Sequence, residues 1–206
     1  KKMLSEGFSI NSVTESFEET GLMIACERED DKAVCFLLDR GANVNNRCKL
    51  GRTAFMNVCV NGNRKIAELL LKKRANPYAQ DYSEGNSGLT LACEMGRIEI
   101  VKMFVEKNLS LKNGPGRTNS LMIVSASDNV EIAETLLDSG QIDVNETDAN
   151  GETALTYASK NNSVNMISFL SSRGANIYAS HNVWKTNALM ISCMCGFFES
   201  AKILIA

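Results

Sequence analysis

A short phrase returns six times along this chain: an N-cap-type residue, a small residue and an apolar residue, starting at Thr20, Thr53, Ser87, Asn119, Thr153 and Asn187. The steps between these starts are 33, 34, 32, 34 and 34 residues. A period of this size specifies a stack of similar units, each too small to bury its own apolar face, in place of one globular core. It overrides the domain count that 206 residues would otherwise suggest and predicts one elongated domain over 1–206. Surface binding becomes the default function, and most enzyme architectures are set aside.

Counting each N-cap residue as position 1, position 3 is Leu22, Phe55, Leu89, Leu121, Leu155 or Leu189, and position 6 is Ala25, Val58, Ala92, Val124, Ala158 or Ser192. Apolar or small residues three apart share a helix face. Position 10 is Gly62, Gly96, Asp128, Asn162 or Gly196, residues that tolerate the left-handed conformation ending a helix, with Glu29 the exception. A first helix is therefore predicted from position 2 to position 9. Apolar runs such as 66–71, 100–105 and 132–137 predict a second helix, ending at Gly41, Gly140 or Gly174, with Arg74 and Asn108 substituting. Turn-rich segments such as Asp148-Ala149-Asn150-Gly151 lead into the next unit.

Two short helices and a projecting turn in this period resemble the ankyrin repeat. Gly151-Glu152-Thr153-Ala154-Leu155 and the run Leu37-Leu38-Asp39-Arg40-Gly41-Ala42-Asn43-Val44-Asn45 carry the resemblance, which extends over essentially the whole chain. It implies an all-α solenoid of stacked helix-turn-helix units with projecting hairpin-like fingers. Repeats are expected near 20–52, 53–86, 87–118, 119–152, 153–186 and 187–206, the last truncated, with 1–19 the tail of a preceding repeat and its finger. Both ends are read as falling inside a repeat, as in a piece of a longer array: Lys2 to Gly7 matches the end of a second helix. The family's Thr-Pro-Leu-His tetrapeptide is missing throughout. Position 4 is Met23, Met56, Thr90, Met122, Thr156 or Met190, and Met fills space without the polar contacts that His provides. The array is expected to be softer than a consensus one, so that restoring Pro and His raises its melting temperature. The resemblance also makes Asn45 and Asn145 candidate hydroxylation sites.

Four of the seven cysteines recur at position 7, Cys26, Cys59, Cys93 and Cys193, where the other repeats carry Ser125 and Ser159. A site accepting Cys or Ser asks for a small side chain, so buried thiols in a reducing, cytoplasmic setting are expected. No apolar stretch is long enough to span a membrane.

Charge is segregated along the sequence. Nine basic residues face only Glu68 between Arg40 and Arg74, and eight acidic residues stand between Asp128 and Glu152 without a Lys or Arg. Such polarity can steer a partner, although Lys72, Lys73 and Arg74 at a helix end also complement the helix dipole. Nucleic acid is not an expected partner: the basic stretch lacks interleaved aromatics and the net charge is −2.

Exposed aromatics are the sharper binding candidates. Trp184, the only Trp, stands with Val183 and His181 in a lengthened finger, 178–186, and Tyr82 stands in another, 78–86. Trp184 folded back onto its own repeat is the structural alternative. On the first helices, positions 8 and 9 correspond to the family's concave face, where Val60, Met95 and Met194 are the apolar residues. Arg52 and Lys49 lie in the basic finger. Catalysis finds little support: His181 is the only His, no metal-type Cys pairs exist, and Asn113-Gly114-Pro115-Gly116-Arg117 is a shortened finger without the Lys-Ser/Thr of a phosphate loop. No cofactor is expected. The sequence thus predicts a non-catalytic scaffold that binds another protein or peptide through concave face and fingers. A regulatory or targeting segment of a larger enzyme or channel, and a small-molecule or nucleotide sensor using Arg52 and the Tyr82 finger, stand as alternatives.

Overall fold

The computed structural model describes residues 9–111 and 118–205. The helix tail expected at 2–7 and the shortened finger at 113–117 lie outside the described residues. Among the described residues twelve helices form six pairs: α1 (Gly21–Glu27) and α2 (Asp31–Asp39), α3 (Ala54–Asn61) and α4 (Arg64–Lys72), α5 (Gly88–Glu94) and α6 (Ile98–Glu106), α7 (Ser120–Ala126) and α8 (Val130–Asp138), α9 (Ala154–Lys160) and α10 (Val164–Ser172), α11 (Ala188–Met194) and α12 (Phe198–Ile205). Every first helix begins at position 2, as the recurring phrase predicts.

The phrase works because its first residue caps the helix. Thr20 Oγ1 accepts the Met23 N–H at 3.3 Å, and Asn119 Oδ1 accepts that of Met122 at 2.9 Å. Thr53, Ser87, Thr153 and Asn187 do the same for their own helices. Position 10 is left-handed in all six repeats, Glu29 included (φ 56°), because the chain has only two or three residues there in which to reverse. Position 4 splits into two chemistries. Thr90 and Thr156 complete capping boxes, Ser87 N–H donating to Thr90 Oγ1 at 2.7 Å and Thr153 N–H to Thr156 Oγ1 at 2.9 Å. Met23, Met56 and Met122 are buried there and supply volume only.

Helices of seven to nine residues are marginal alone, so packing between repeats stabilises them. The chain divides into two compact units, Lys1–Ile100 and Val101–Ala206. In the first, α1 packs on α3 and α3 on α5, with α2 and α4 against their own first helices. In the second, α7 packs on α9 and α9 on α11, while α8 meets α10 and α10 meets α12. Leu22, Phe55, Leu89, Leu121 and Leu155 are buried at position 3. At position 7, Cys26, Cys59, Cys93, Ser125 and Ser159 are fully buried, which is why only small side chains occur. Burial pushes the Cys26 thiol up to about 12 and raises that of Cys59 further, Cys93 adding to it. Cys193 departs from this pattern and is exposed. In repeat two the following first helix covers the site, Gly88 lying over the Cys59 sulfur.

Loop side chains bridge neighbouring repeats. Asn11 Oδ1 accepts the Asn43 N–H at 2.8 Å, Asn45 Oδ1 that of Asn76 at 2.8 Å, and Asn145 Oδ1 that of Asn176 at 2.7 Å. Asn45 and Asn145 also donate to the carbonyls of Arg74 and Gly174. Tyr78 and Tyr178 take the same place in two repeats and are exposed.

Candidate protein-binding surface

Three fingers are each built around one acceptor side chain. Asp81 Oδ1 takes the N–H groups of Glu84, Gly85 and Asn86 at 3.0–3.2 Å. Asp148 Oδ1 takes those of Asn150 and Glu152, each at 2.9 Å. In the Trp184 finger His181 has this role: its Nδ1 accepts the Val183 N–H at 3.1 Å and the Trp184 N–H at 3.2 Å. The longer fingers close with single antiparallel bridges, Val13 to Thr20, Gln80 to Ser87 and Ser180 to Asn187. Their extra residue adopts a left-handed conformation, at Glu18, Gly85 and Lys185. The finger at 14–19 is thus of the long type, which the sequence reading did not separate out.

Successive fingers are joined backbone to backbone. Lys49 N–H donates to Phe17 O and Tyr82 N–H to Leu50 O, both at 2.9 Å, and Asn182 N–H to Asn150 O at 2.8 Å. Tyr82 lies flat on Gly51, whose absent Cβ would stand 2.7 Å from the ring, and Arg47 stacks on that ring at 4.6 Å while donating to Gln80 O. Tyr82 is therefore an exposed residue with a structural task. Its counterpart Asn182 covers Gly151 in the same way.

Trp184 and Val183 are each 75% exposed, so the indole is not folded back onto its repeat. Met194 on α11 is 76% exposed and Met95 after α5 is 43% exposed. Val60 is half-buried against Met56, Ala79 and Leu91. Lys49 is exposed at the finger tip, and Arg52 is half-buried.

Arg52 lines a cavity of about 100 Å³ between the fingers and the first helices of repeats one and two, together with Phe17, Glu19, Met23, Glu27 and Leu50. Phe17 and Leu50 are about half-exposed fingertip residues that the sequence reading passed over. Their signal was an apolar residue where a matching finger has Asn150.

Three residues of the basic run, Arg64, Lys65 and Lys73, are paired. Lys65 meets Asp31 at 2.7 Å, Lys73 meets Asp39 at 3.2 Å, and Arg64 meets Glu68 at 3.2 Å and Glu99 at 3.6 Å. The hydrogen bond to Asp31 raises the Lys65 ammonium above its ordinary value. In the second unit Arg173 meets Asp138 at 2.5 Å and Lys102 meets Glu131 at 3.2 Å. Charges that look segregated along the sequence pair across one repeat period. Among the described residues, no group of three or more His, Cys, Asp or Glu is placed to hold a metal ion, and no helix is long and apolar enough to cross a membrane.

Paired short helices with capped starts and linked fingers define an ankyrin-repeat architecture. Models of the family described as ankyrin repeats match residues 1–81, 22–113, 80–148 and 121–206, and the chain belongs to that family. The ankyrin repeat and KH domain-containing protein mask-1 of Caenorhabditis elegans is 30% identical over 238 residues, covering 100% of this chain and 9% of that protein. The putative ankyrin repeat protein R664 of Acanthamoeba polyphaga mimivirus is 32% identical over 113 residues, covering 52% of this chain and 69% of that one. The chain spans less than a tenth of the mask-1 relative and of its Drosophila melanogaster and Homo sapiens counterparts. Among solved structures, the ankyrin repeat protein EF0377 superposes with a TM-score of 0.79 at 23% identity, over 96% of this chain and 98% of that one. A chain of the complex between the Bd0816 predatory endopeptidase of Bdellovibrio bacteriovorus and the immunity protein Bd3460 gives 0.79 at 23%, over 91% and 97%. The fold is the all-α ankyrin-repeat solenoid, a class that generally mediates protein–protein interaction and typically carries no catalysis.

Proposed function

We propose that this chain is a non-catalytic protein-binding module of the cytoplasm, holding its partner through its fingers and concave face, with the Trp184 finger as an anchor. The observation that carries this reading is the presentation of Val183 and Trp184. Both side chains stand in solvent, while their backbone N–H groups are tied to His181 and the finger is tied to Asn150 of its neighbour. An aromatic anchor on a pre-ordered backbone loses little entropy on binding, the usual property of an interface hot spot. Met194 adds exposed apolar surface on a first helix of the same unit. That one structural neighbour comes from a complex of an endopeptidase with an immunity protein accords with this use of the fold. A second reading, a targeting segment within a larger protein, is favoured by the small share of the relatives that the chain spans, 9% of mask-1 and 16% of the E3 ubiquitin-protein ligase XBAT33 of Arabidopsis thaliana.

The test is affinity capture from the native cell lysate with the immobilised chain, read by mass spectrometry. Trp184→Ala is expected to lose the partner with unchanged circular dichroism and melting temperature. His181→Ala, which frees the finger's amides, is expected to weaken capture as well. Undiminished capture by Trp184→Ala refutes the anchor, and unfolding of that variant assigns Trp184 a structural role.

A further inference from the structure

The cavity between the first two fingers has a chemistry that the Trp184 finger does not. Its wall is apolar, formed by Phe17, Leu50 and Met23, and its polar lining includes Glu19, Glu27 and Arg52. Glu19 and Glu27 occupy two defined places in the repeat: the residue before the N-cap, and position 8 of the first helix. In repeat five the same two places hold Glu152 and Lys160, whose Oε1 and Nζ are 2.5 Å apart. In repeat five these two positions stand at ion-pair distance, and repeat one fills both with carboxylates. Among the described residues neither Glu19 nor Glu27 makes an ion pair, and the basic residues on the adjoining finger, Lys49 and Arg52, make none with them. With Arg52 counted, the cavity keeps a net negative charge.

Size narrows the ligand. About 100 Å³ is well below the roughly 300–1,000 Å³ of small-molecule and cofactor sites, so a nucleotide does not fit, whereas one extended side chain does. A lysine or arginine presents both required parts: methylenes that cover apolar surface and a cation at the tip. Resting on the reading of this chain as a protein-binding module, we propose that this cavity receives one lysine or arginine side chain from an extended partner segment. Its stem lies along Phe17 and Leu50, and its cation sits between Glu19 and Glu27 as Lys160 sits on Glu152.

The test is a titration of the isotope-labelled 206-residue chain, followed by amide NMR, with a short capped peptide, acetyl-Ala-Ala-Lys-Ala-Ala-amide, and its Lys→Gln and Lys→Glu counterparts. The Lys peptide is expected to shift the amides of Phe17, Leu50 and Glu27, and to bind about tenfold more tightly than the Gln peptide, the scale of a charge-assisted hydrogen bond. Added salt weakens it, since the cavity is open to solvent. Glu19→Gln with Glu27→Gln, which leaves side-chain shape intact, removes the preference for Lys, and Arg52→Gln tightens binding about threefold by removing a like charge. The thermal melts of both variants serve as the folding control. Equal binding of Lys and Gln peptides, a preference for the Glu peptide, or no shift with any of the three overturns the proposal. Capture through Trp184 is a separate readout. If it persists while the lysine preference fails, only this cavity assignment falls; if it fails while the lysine preference holds, the anchor falls and the cavity stands.

Discussion

Gly88 and Phe55 make a quantitative test of how these repeats fit together. Gly88 opens α5 with ordinary helical geometry, so helix propensity alone favours replacing it by Ala, by up to about 1 kcal/mol. Packing opposes this. A Cβ there would lie 2.9 Å from Cys59 Sγ and 3.0 and 3.1 Å from two carbons of the Phe55 ring, all fully buried. Overpacking of this kind costs about 1–3 kcal/mol, so Gly88→Ala is expected to destabilise by about 1–2 kcal/mol net. At Gly21, the same repeat position, the nearest atom among the described residues is Leu37 Cδ1 at 3.9 Å, and Gly21→Ala is expected to stabilise by about 0.5 kcal/mol. At Gly88 the crowding comes from position 3 of the preceding repeat: Leu22, Leu121 and Leu155 are followed by Ala54, Ala154 and Ala188, whereas the bulkier Phe55 is followed by Gly88. Phe55→Leu should therefore rescue Gly88→Ala, with a coupling of at least about 1 kcal/mol in a double-mutant cycle. Urea denaturation measures each term, and differential scanning calorimetry should show about 2–4 °C for each kcal/mol. An additive cycle, or a Gly88→Ala chain more stable than the parent, refutes the argument that ring and glycine are matched.

Ser120 is fully buried and its Oγ finds no hydrogen-bond partner among the described residues, at a position where other repeats carry Ala54, Ala154 and Ala188. Ser120→Ala should raise stability by about 1 kcal/mol, read as a higher urea midpoint, because the lost hydroxyl was desolvated without compensation. The thiols supply a pH test. In the native chain a thiol reagent near neutral pH should react quickly at Cys35, Cys193 and Cys195 and slowly at the four buried cysteines until denaturant is added. Cys26 has a folded-state value near 12 against 9.0 when free, so between these limits the unfolded chain releases a proton that the folded chain keeps. Stability then falls as pH rises above 9, by up to about 1.4 kcal/mol per pH unit for this group, and Cys26→Ala should remove that share of the slope.

The period, the caps and the left-handed helix ends were legible because each is a local demand of the backbone on one residue type. Thr20 or Asn119 can be recognised as a cap without knowing what packs beside it. What depends on the neighbouring repeat was not legible. Tyr82 read as an anchor, since nothing local shows that its ring roofs Gly51. Arg64 and Lys65 read as one sign of charge, since Glu99 and Asp31 stand a full repeat away on either side. Glu19 and Glu27 are related as a pair only by the geometry that Glu152 and Lys160 display in repeat five.

The ion pairs between second helices have a further consequence for how such an array assembles. Near-identical units can dock out of sequence, and a slip by one whole repeat is a characteristic error of tandem chains. Lys65 and Lys73 face Asp31 and Asp39 only if repeat two lies directly on repeat one, and Arg173 faces Asp138 only if repeat five lies on repeat four. Each exposed pair contributes little stability, roughly 0.2–1 kcal/mol. Joined in the wrong order, the same side chains lose their partners or meet their own sign, so the charges act as an address that tells each repeat which neighbour to accept.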